Sequence, residues 1–267
     1  MLINLICEPH AQRRALEQMR RLELATGIAV VNPAWAISAT TRPLIARRLA
    51  HQARVRMPHC THYEPAGGTL PEHVEAQGHT YPVLLRPPGR HGSEGLLRID
   101  DAGALARIDA AVRSCTVTDF VDFRSADGLW RKYRIVYAGD RLFRRHMLVD
   151  TEWNLVGAAR RFMRDRAALL DEEQAWLEAP LTLENESIEA RVMHQFRVLQ
   201  LDFGAIDCAL LPDGDLVVFE LNACLQITNA PSQAISDRRP YEANNDEILR
   251  ALVDEACSRA GASPIRG

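Results

Sequence analysis

The sequence predicts an α+β fold in which antiparallel hairpins supply most of the strands. Strand-like and helix-like segments alternate along the chain, but without the regular strand–helix–strand order that a parallel sheet requires. Two pairs of β-rich segments are separated by short turns at Ala138–Asp140 and Pro212–Asp215. The chain has 267 residues, of which 47% are hydrophobic and 25% charged. This composition is typical of one globular unit or of two small lobes.

The helices are predicted from apolar residues at helical spacing and from signals at their ends. In the first helix, Leu16, Met19 and Leu22 share one face, and Gly27 ends it. Pro43 fits the first turn of the second helix, and an aspartate at 100 or 101 caps the third. The predicted helices cover 11–24, 43–52, 101–113, 157–168, 171–178, 186–199 and 242–261.

The strands are predicted from short apolar or β-branched runs bounded by turn-forming residues. Asn32-Pro33 stops the second run, and a Pro/Gly-rich joint at 65–68 precedes the third. The predicted strands cover 2–6, 28–31, 81–86, 96–99, 116–123, 130–137, 141–149, 203–211 and 216–222.

Charge and composition exclude several classes of protein. The net charge of −3 gives no basic excess for nucleic acid or an anionic membrane, and no apolar stretch approaches the ~18 residues that a membrane span needs. The first residues lack a basic n-region, and the six cysteines form no CxxC pair. We therefore expect a cytoplasmic protein without membrane or nucleic-acid partners. Only Lys132 is lysine among the 32 basic residues.

The segment 201–222 carries the most specific chemistry. A turn centred on Asp213-Gly214, a strong hairpin signal, places Asp207 directly opposite Glu220. A four-residue turn keeps this register, whereas a three-residue turn would mix the two faces. The register also predicts one continuous apolar face, made of Ile206, Cys208, Leu210, Val217, Phe219 and Leu221.

Two carboxylates opposite each other on a hairpin are ~5 Å apart and repel. Either one is protonated or a cation lies between them. Asn222 adds a third hard oxygen on the same face, and such a set suits Mg²⁺. The alternative is a solvated outer face, but Glu220 lies in the apolar segment VVFELNA. The sequence thus predicts a metal site at Asp207, Glu220 and Asn222, with no Arg or Lys between the carboxylates.

The hairpin of 130–149 concentrates positive charge. With 139–140 at its centre, Arg134 faces Arg145 and Lys132 faces Met147, so three cations share one face. A solvated ribbon with acidic neighbours explains this pattern equally well. Together, however, the basic and acidic hairpins indicate a polyanion bridged by metal, such as a nucleoside triphosphate.

Two further patterns are less specific. The loop after strand 81–86 contains Ser93 and the glycines at 89, 92 and 95, which let backbone N–H groups approach phosphates, but it is neither a Walker A motif nor GxGxxG. His59, Cys60 and His62 form a metal-like cluster whose spacing matches no standard zinc pattern. A strand with alternating side chains explains that cluster as well.

These segments, in this order, resemble the ATP-grasp superfamily over about residues 28–260. The stretch 81–95 is similar to its first nucleotide-binding strand and glycine-rich loop, and 117–123 to the strand that leads into the adenine hinge. The stretch 201–223 is similar to its metal-binding hairpin ending in Glu-x-Asn. The stretch 30–50 resembles the segment where an Asn-Pro strand end precedes a helix with a phosphate-contacting cation.

The resemblance implies an ATP-grasp fold with two α+β lobes that clasp the nucleotide. It implies three parts: an abbreviated Rossmann-like N-terminal part at 1–60, a central lobe at 61–115 and a C-terminal lobe at 116–262. Because the first part is shorter than is usual in the family, we expect a second subunit or a partner protein to complete the substrate surface.

The resemblance also implies roles for individual residues. Asp207, Glu220 and Asn222 become ligands of one or two Mg²⁺ ions, with Mn²⁺ as a substitute. Lys132 and Arg134 match cations along the triphosphate and are the expected catalytic residues.

Further nucleotide contacts are implied in the other lobe. Arg42 and Arg86 stand where the family commonly has lysines, and Ser93 lies in the glycine-rich loop. The segment Asp119, Phe120 and Val121 occupies the hinge whose backbone reads adenine.

The implied activity is an ADP-forming ligase that uses ATP and Mg²⁺. A carboxylate is activated as an acylphosphate and an amine attacks it, forming an amide or peptide-like bond. This chemistry needs positioning and charge neutralisation rather than a protein nucleophile. The substrates are small molecules or peptides. Two alternatives remain: a phosphotransferase, and a member that binds nucleotide without catalysis.

Overall fold

The computed structural model describes residues 1–89, 93–183, 187–225, 227 and 244–261. The strands in these ranges are β1 (Leu2–Ile3), β2 (Val30–Val31), β3 (Val55–Arg56), β4 (Cys60–Tyr63), β5 (Val83–Arg86), β6 (Leu97–Ile99), β7 (Cys115–Asp119), β8 (Trp130–Ala138), β9 (Arg141–Asp150), β10 (Phe203–Leu210) and β11 (Leu216–Asn222). The α-helices are α1 (Arg13–Thr26), α2 (Ala34–Ser38), α3 (Arg42–Leu49), α4 (Leu70–Ala76), α5 (Ala102–Ile108), α6 (Ala159–Arg164), α7 (Ala167–Glu178), α8 (Ile188–Leu199) and α9 (Asn245–Arg259).

The strands form three sheets. The largest has the order β3-β11-β10-β8-β9, a second has the order β4-β7-β5-β6, and β1 pairs with β2. The pairs within the two larger sheets are antiparallel except for β3 with β11. The predicted α+β class is therefore confirmed.

Both faces of the central strand β10 are covered, and seven of its eight residues are buried. On one face, Ile206 and Cys208 pack with Val192, Phe196 and other residues of α8. On the other face, Ala209 packs in a cluster with Phe123, Trp130 and Val217. Gly204 is required in β10 because a Cβ there would lie 2.5 Å from the carbonyl oxygen of Asn222.

The helix ends follow local chemistry. Asp101, rather than Asp100, caps α5 by accepting from the Ala104 amide at 2.7 Å. A capping box between Thr69 and Glu72 begins α4. The sequence analysis did not predict α4, α2 or β3. The expected first residues of the last two helices, 186 and 242–243, lie outside the described residues.

The three-part division expected from the sequence stays a prediction. The smaller four-stranded sheet is built from strands between Cys60 and Asp119, while Val55–Arg56 pairs with β11 of the large sheet. Among the described residues, no helix has the length and apolar character that crossing a bilayer requires.

The acidic hairpin has the predicted central pair but a different register near its turn. Asp207 pairs with Glu220, whereas Cys208 pairs with Val218 and Leu210 with Leu216. A β-bulge between Asp207 and Cys208 shifts the register by one residue. The prediction that Val217 and Phe219 share a face with Ile206 and Cys208 was wrong: Val218 lies on that face, whereas Val217 and Phe219 pack with Phe123 and Trp130.

The basic hairpin contains a similar irregularity. Arg134 pairs with His146, and Lys132 with Leu148, because a bulge lies between Arg134 and Ile135. The predicted pairs of Arg134 with Arg145 and of Lys132 with Met147 were therefore wrong. A register counted outward from the turn cannot include a bulge that lies several residues away.

Asn32 joins the N-terminal segment to the large sheet. It is fully buried and has a left-handed φ of 57°. Its Nδ2 donates to the carbonyl oxygens of Phe203 and Ala223, each at 2.7 Å. Its Oδ1 accepts from the amides of Asp202 and Phe203 at 2.9 and 3.1 Å. One side chain thus ties the end of β2 to the start of β10 and to the segment after β11.

We expect Asn32→Ala to lower the free energy of unfolding by about 3–5 kcal/mol, because it leaves two amides and two carbonyls buried without partners. Asn32→Gly loses the same hydrogen bonds but adopts a positive φ without strain, so it should be about 1 kcal/mol more stable than the alanine variant. Urea unfolding of the three proteins measures both differences. Alanine and wild-type proteins of equal stability would contradict this role.

Candidate active site

A cleft lies between the smaller sheet and the hairpin β10–β11. Its apolar lining is Leu84, Leu96, Phe120, Val121, Phe123, Trp153, Leu155 and Phe219. Its charged lining is Arg42, Arg86, Asp119, Lys132, Asp207 and Glu220. Such a lining can hold a ligand that is flat and apolar in one part and highly charged in another.

Most of the predicted site residues line this cleft. They are Arg42, Arg86, Ser93, Asp119, Phe120, Val121, Lys132, Asp207 and Glu220. Arg134 reaches the cleft through Asp207, and Asn222 lines a neighbouring cavity that shares Arg42 and Glu220. The structure brings these side chains together, and their roles stay predictions.

Asp207 is held by two cations from β8. Arg134 donates through Nε to Oδ1 at 2.5 Å and through Nη2 to Oδ2 at 2.8 Å. The Lys132 Nζ lies 3.7 Å from Oδ2 and donates to the carbonyl oxygen of Leu155 at 2.7 Å. The Asp207 side chain is only 7% exposed, so this pairing is largely shielded from solvent.

Glu220 has its own partner from a distant segment. The Arg42 Nη2, at the start of α3, lies 2.6 Å from Oε2, and both side chains are 23% exposed. The expectation that no Arg or Lys lies between the carboxylates was wrong. The hairpin face offers no cation itself, but β8 and α3 bring three to it.

These pairings keep both carboxylates ionised. Burial raises the pKa of Asp207, but the charges of Arg134 and Lys132 and the hydrogen bonds from Arg134 outweigh it and leave that pKa below its usual value. For Glu220, the Arg42 charge likewise outweighs burial and the repulsion of Asp207, and the pKa is lowered. The protonated carboxylate, one of the two alternatives stated from the sequence, is therefore not found.

Arg86 is the exception among these cations. It lines the cleft, and its guanidinium makes no hydrogen bond or ion pair with any residue in the described ranges. Burial and the nearby Arg42 charge lower its pKa, and the charges of Glu220 and Asp207 act in the opposite direction without outweighing them. A partly buried guanidinium without a direct ion pair is a ready site for an anionic ligand.

The donor set at the hairpin fits Mg²⁺ or Mn²⁺. Two carboxylates and the Asn222 amide supply the hard oxygens that these ions prefer, and each ionised oxygen has a second lone pair beyond the one an arginine uses. In the described part of the chain, no group of three or more His, Cys, Asp or Glu residues could hold a metal ion. The set of Asp207, Glu220 and Asn222 has only two carboxylates and one amide. Oxygens from water or phosphate would therefore complete the coordination of the metal.

The hinge offers one unengaged amide. The amides of Asp119 and Phe120 donate within the smaller sheet, to the carbonyl oxygens of His59 and Pro82 at 2.9 Å each. In the described residues, the amide of Val121 donates to no acceptor. The Phe120 ring lies edge-on to Trp153, with centroids 5.6 Å apart, so this wall is aromatic.

The glycine-rich loop is described only in part. Residues 90–92, including Gly92, lie outside the described residues. Ser93 has a positive φ of 98°, and its Oγ donates to the Oδ1 of Asn154 at 2.5 Å. The sequence analysis assigned no site role to Asn154 or Trp153. Neither lies in a motif, so no local signal marks them.

The metal-like cluster separates in space. His62 contacts Glu64 at 2.7 Å, and the Cys60 sulfur accepts from the Thr118 hydroxyl at 3.3 Å. The His59 Nε2 instead lies 3.0 Å from the carbonyl oxygen of Gln77. These side chains have different partners, as the alternating strand predicts.

We expect Asp207→Asn to unfold more easily than wild type at pH 7, by roughly 2–3 kcal/mol, because Arg134 is left largely buried without its counterion. The folded pKa of Asp207 is lowered, so the stabilisation is complete above the unfolded pKa of about 4 and is lost as the pH falls through the folded value. Between pH 7 and pH 2, the difference between the two proteins should therefore stay constant down to about pH 5 and shrink as the pH falls below about 4.

Urea unfolding across this pH range measures the difference. Asp213→Asn is the matched control, since Asp213 lies at the turn of the same hairpin and is half exposed. A difference that stays constant with pH would contradict the assignment.

No family model matches the sequence, and no curated protein matches it. The fold, in contrast, matches solved structures over most of the chain. The macrocyclase MdnC from Microcystis aeruginosa MRC, bound with precursor peptide MdnA, is 14% identical with a TM-score of 0.53, covering 92% of this chain and 70% of that chain.

Two further structures agree. The ATP-grasp ligase PsnB, complexed with precursor peptide PsnA2 and AMPPNP, is 14% identical with a TM-score of 0.51, covering 91% of this chain and 68% of that chain. A RimK domain ATP-grasp protein from Sphaerobacter thermophilus is 15% identical with a TM-score of 0.51, covering 92% of this chain and 80% of that chain. The chain therefore has the ATP-grasp fold.

Proposed function

We propose that the protein is an ATP- and Mg²⁺-dependent ligase that activates a carboxylate as an acylphosphate and joins it to an amine, releasing ADP and phosphate. The observation that carries this proposal is the Asp207–Glu220 pair, facing across one hairpin inside a cleft lined by cations and aromatic side chains. The ATP-grasp fold supports it.

The aromatic lining suits the base of the nucleotide. Phe120, Val121, Trp153 and Phe219 lie in one cleft with the charged residues, and the unengaged Val121 amide offers a hydrogen bond to a ring nitrogen. The charged lining suits the triphosphate, with Arg86 as a cation that already lacks a partner.

Asp207, Glu220 and Asn222 would hold the metal. When bound, Mg²⁺ neutralises the charge that develops on the transferring phosphoryl group. Arg134 and Arg42 keep the two carboxylates ionised before the ligand arrives. Lys132 lies between Asp207 and the carbonyl of Leu155, where its ammonium can donate to a phosphate oxygen.

Peptides are included among the proposed substrates. MdnC and PsnB were each solved with a precursor peptide. The carboxylate or the amine can therefore belong to a peptide side chain or terminus.

The proposal is tested by trapping the acylphosphate. The protein is incubated with ATP, Mg²⁺, hydroxylamine and a panel of amino acids and peptides, and hydroxamate and ADP are both measured. We expect the two products in equal amounts from wild type and from Asp213→Asn. Glu220→Gln should lose at least about 100-fold in rate, because it removes a metal ligand and leaves Arg42 unpaired.

The other outcomes identify the alternatives. ADP with a stable phosphorylated product and no hydroxamate would show a phosphotransferase. ATP binding without turnover on any substrate would show a nucleotide-binding member. Full activity of Glu220→Gln would contradict the site itself.

We also expect Lys132→Arg to weaken the use of ATP by roughly tenfold, although the charge is kept. A planar guanidinium is bulkier than the compact ammonium that reaches both Leu155 and Asp207. The KM for ATP in the hydroxamate assay measures the effect, and Arg131→Lys, the same exchange in reverse at a neighbouring β8 position, is the control. Unchanged kinetics in Lys132→Arg would show that the lone lysine has no special role.

A further inference from the structure

Four side chains form a continuous hydrogen-bonded chain behind the hinge. The His73 Nε2 lies 2.8 Å from the Thr61 Oγ1, and that oxygen lies 2.7 Å from the His79 Nε2. The His79 Nδ1 lies 2.6 Å from the Asp119 Oδ1. Strand alternation puts Thr61 and Asp119 on the face of the smaller sheet that packs on α4.

The Asp119 carboxylate accepts, so His79 donates to it through Nδ1–H. The Thr61 hydroxyl, which can both donate and accept, lies between the Nε2 atoms of His73 and His79. Burial lowers the pKa of His73, and the nearby His79 and His62 lower it further, which agrees with a neutral His73 ring.

The chain ends on the hinge. The Asp119 carboxylate also accepts from the amide and the hydroxyl of Thr80, at 3.3 and 3.2 Å. The His79 side chain is fully buried, and Asp119 is followed directly by Phe120 and Val121 of the cleft. The hydrogen bonds to the Asp119 carboxylate therefore fix the position of the residue that precedes the cleft wall.

The order hydroxyl, imidazole and carboxylate also occurs in acyl-transfer triads. Here the Thr61 oxygen has His79 on one side and His73 on the other, and neither of the two cavities described above reaches it. A substrate has no approach to this hydroxyl by way of those cavities, so the geometry favours a positioning role.

We propose that His79 is the positioning residue of the nucleotide hinge, holding Asp119 so that Phe120 and Val121 form the wall against which the adenine base packs. This inference rests on the proposed function, because it requires that the cleft take ATP.

The test uses two ligands and four variants of the full chain. The ligands are ATP and inorganic tripolyphosphate, each with Mg²⁺, and their Kd values are measured by calorimetry. Asparagine places an amide nitrogen where His79 has Nδ1 and so keeps the bond to Asp119. Glutamine places its nitrogen where His79 has Nε2 and loses that bond. Alanine loses both bonds, and Thr61→Val loses the hydroxyl but leaves His79 beside Asp119.

We expect His79→Gln and His79→Ala to raise the Kd for ATP about tenfold, the equivalent of about 1.4 kcal/mol. His79→Asn and Thr61→Val should stay within about threefold of wild type, since the bond to Asp119 is kept. The Kd for tripolyphosphate should be unchanged in every variant, because that ligand has no base to contact the hinge.

Three results would overturn the inference. Equal ATP affinity in all variants would show that the hydrogen bond from His79 to Asp119 does not contribute to ATP binding. Equal losses for ATP and tripolyphosphate would show a general structural defect. An asparagine variant as weak as alanine would show that contact with Asp119 is not what matters. Failure of the proposed function looks different, because wild type itself would then bind neither ligand.

Discussion

Two carboxylates face each other across one buried hairpin, and they can stay ionised only if positive charge is brought to them. Arg134 and Lys132 reach Asp207 from the adjacent strand β8. Arg42 reaches Glu220 from α3, more than 170 positions earlier in the chain. The N-terminal segment therefore has to lie against the hairpin. Asn32 supplies that attachment, since its side chain bonds the first residues of β10 and the residue after β11.

Reasoning from the sequence reached the central pair of the hairpin but not its surroundings. Asp207 and Glu220 were predicted to be opposite, and they are. The turn and the bulge each shift the register by one residue, and the two shifts cancel at that pair. Between the turn and the bulge they do not cancel, so Phe219 was assigned to the wrong face. Because Val217, Val218 and Phe219 are all apolar, the hydrophobic pattern does not show this one-residue shift in register.

The ion pairs of the two carboxylates were not predicted, for a different reason. Alternation within one hairpin shows which of its own side chains share a face, but it says nothing about residues brought in by α3. The helix α4, in contrast, had a usable signal, because Thr69 and Glu72 form the capping-box pattern ahead of an apolar pair, Leu70 and Val74. His73 and His79 lie in no motif and had no predicted role. Their bonds to Thr61 depend on how α4 packs on the sheet, which no spacing rule contains.

The distribution of partners among the cleft arginines bears on how a ligand would enter. Arg134 and Arg42 are each committed to a carboxylate, and these pairs keep Asp207 and Glu220 in the charged form that a divalent cation requires. Arg86 forms no ion pair within the described chain; burial and the Arg42 charge oppose its charged form, whereas the charges of Glu220 and Asp207 favour it. Under the proposed function, an incoming triphosphate would contact Arg86 without first breaking an ion pair. The first anionic contact is therefore favoured at Arg86. The bound ligand's negative charge could then attract Arg42 away from Glu220, which would leave Glu220 available to a metal ion.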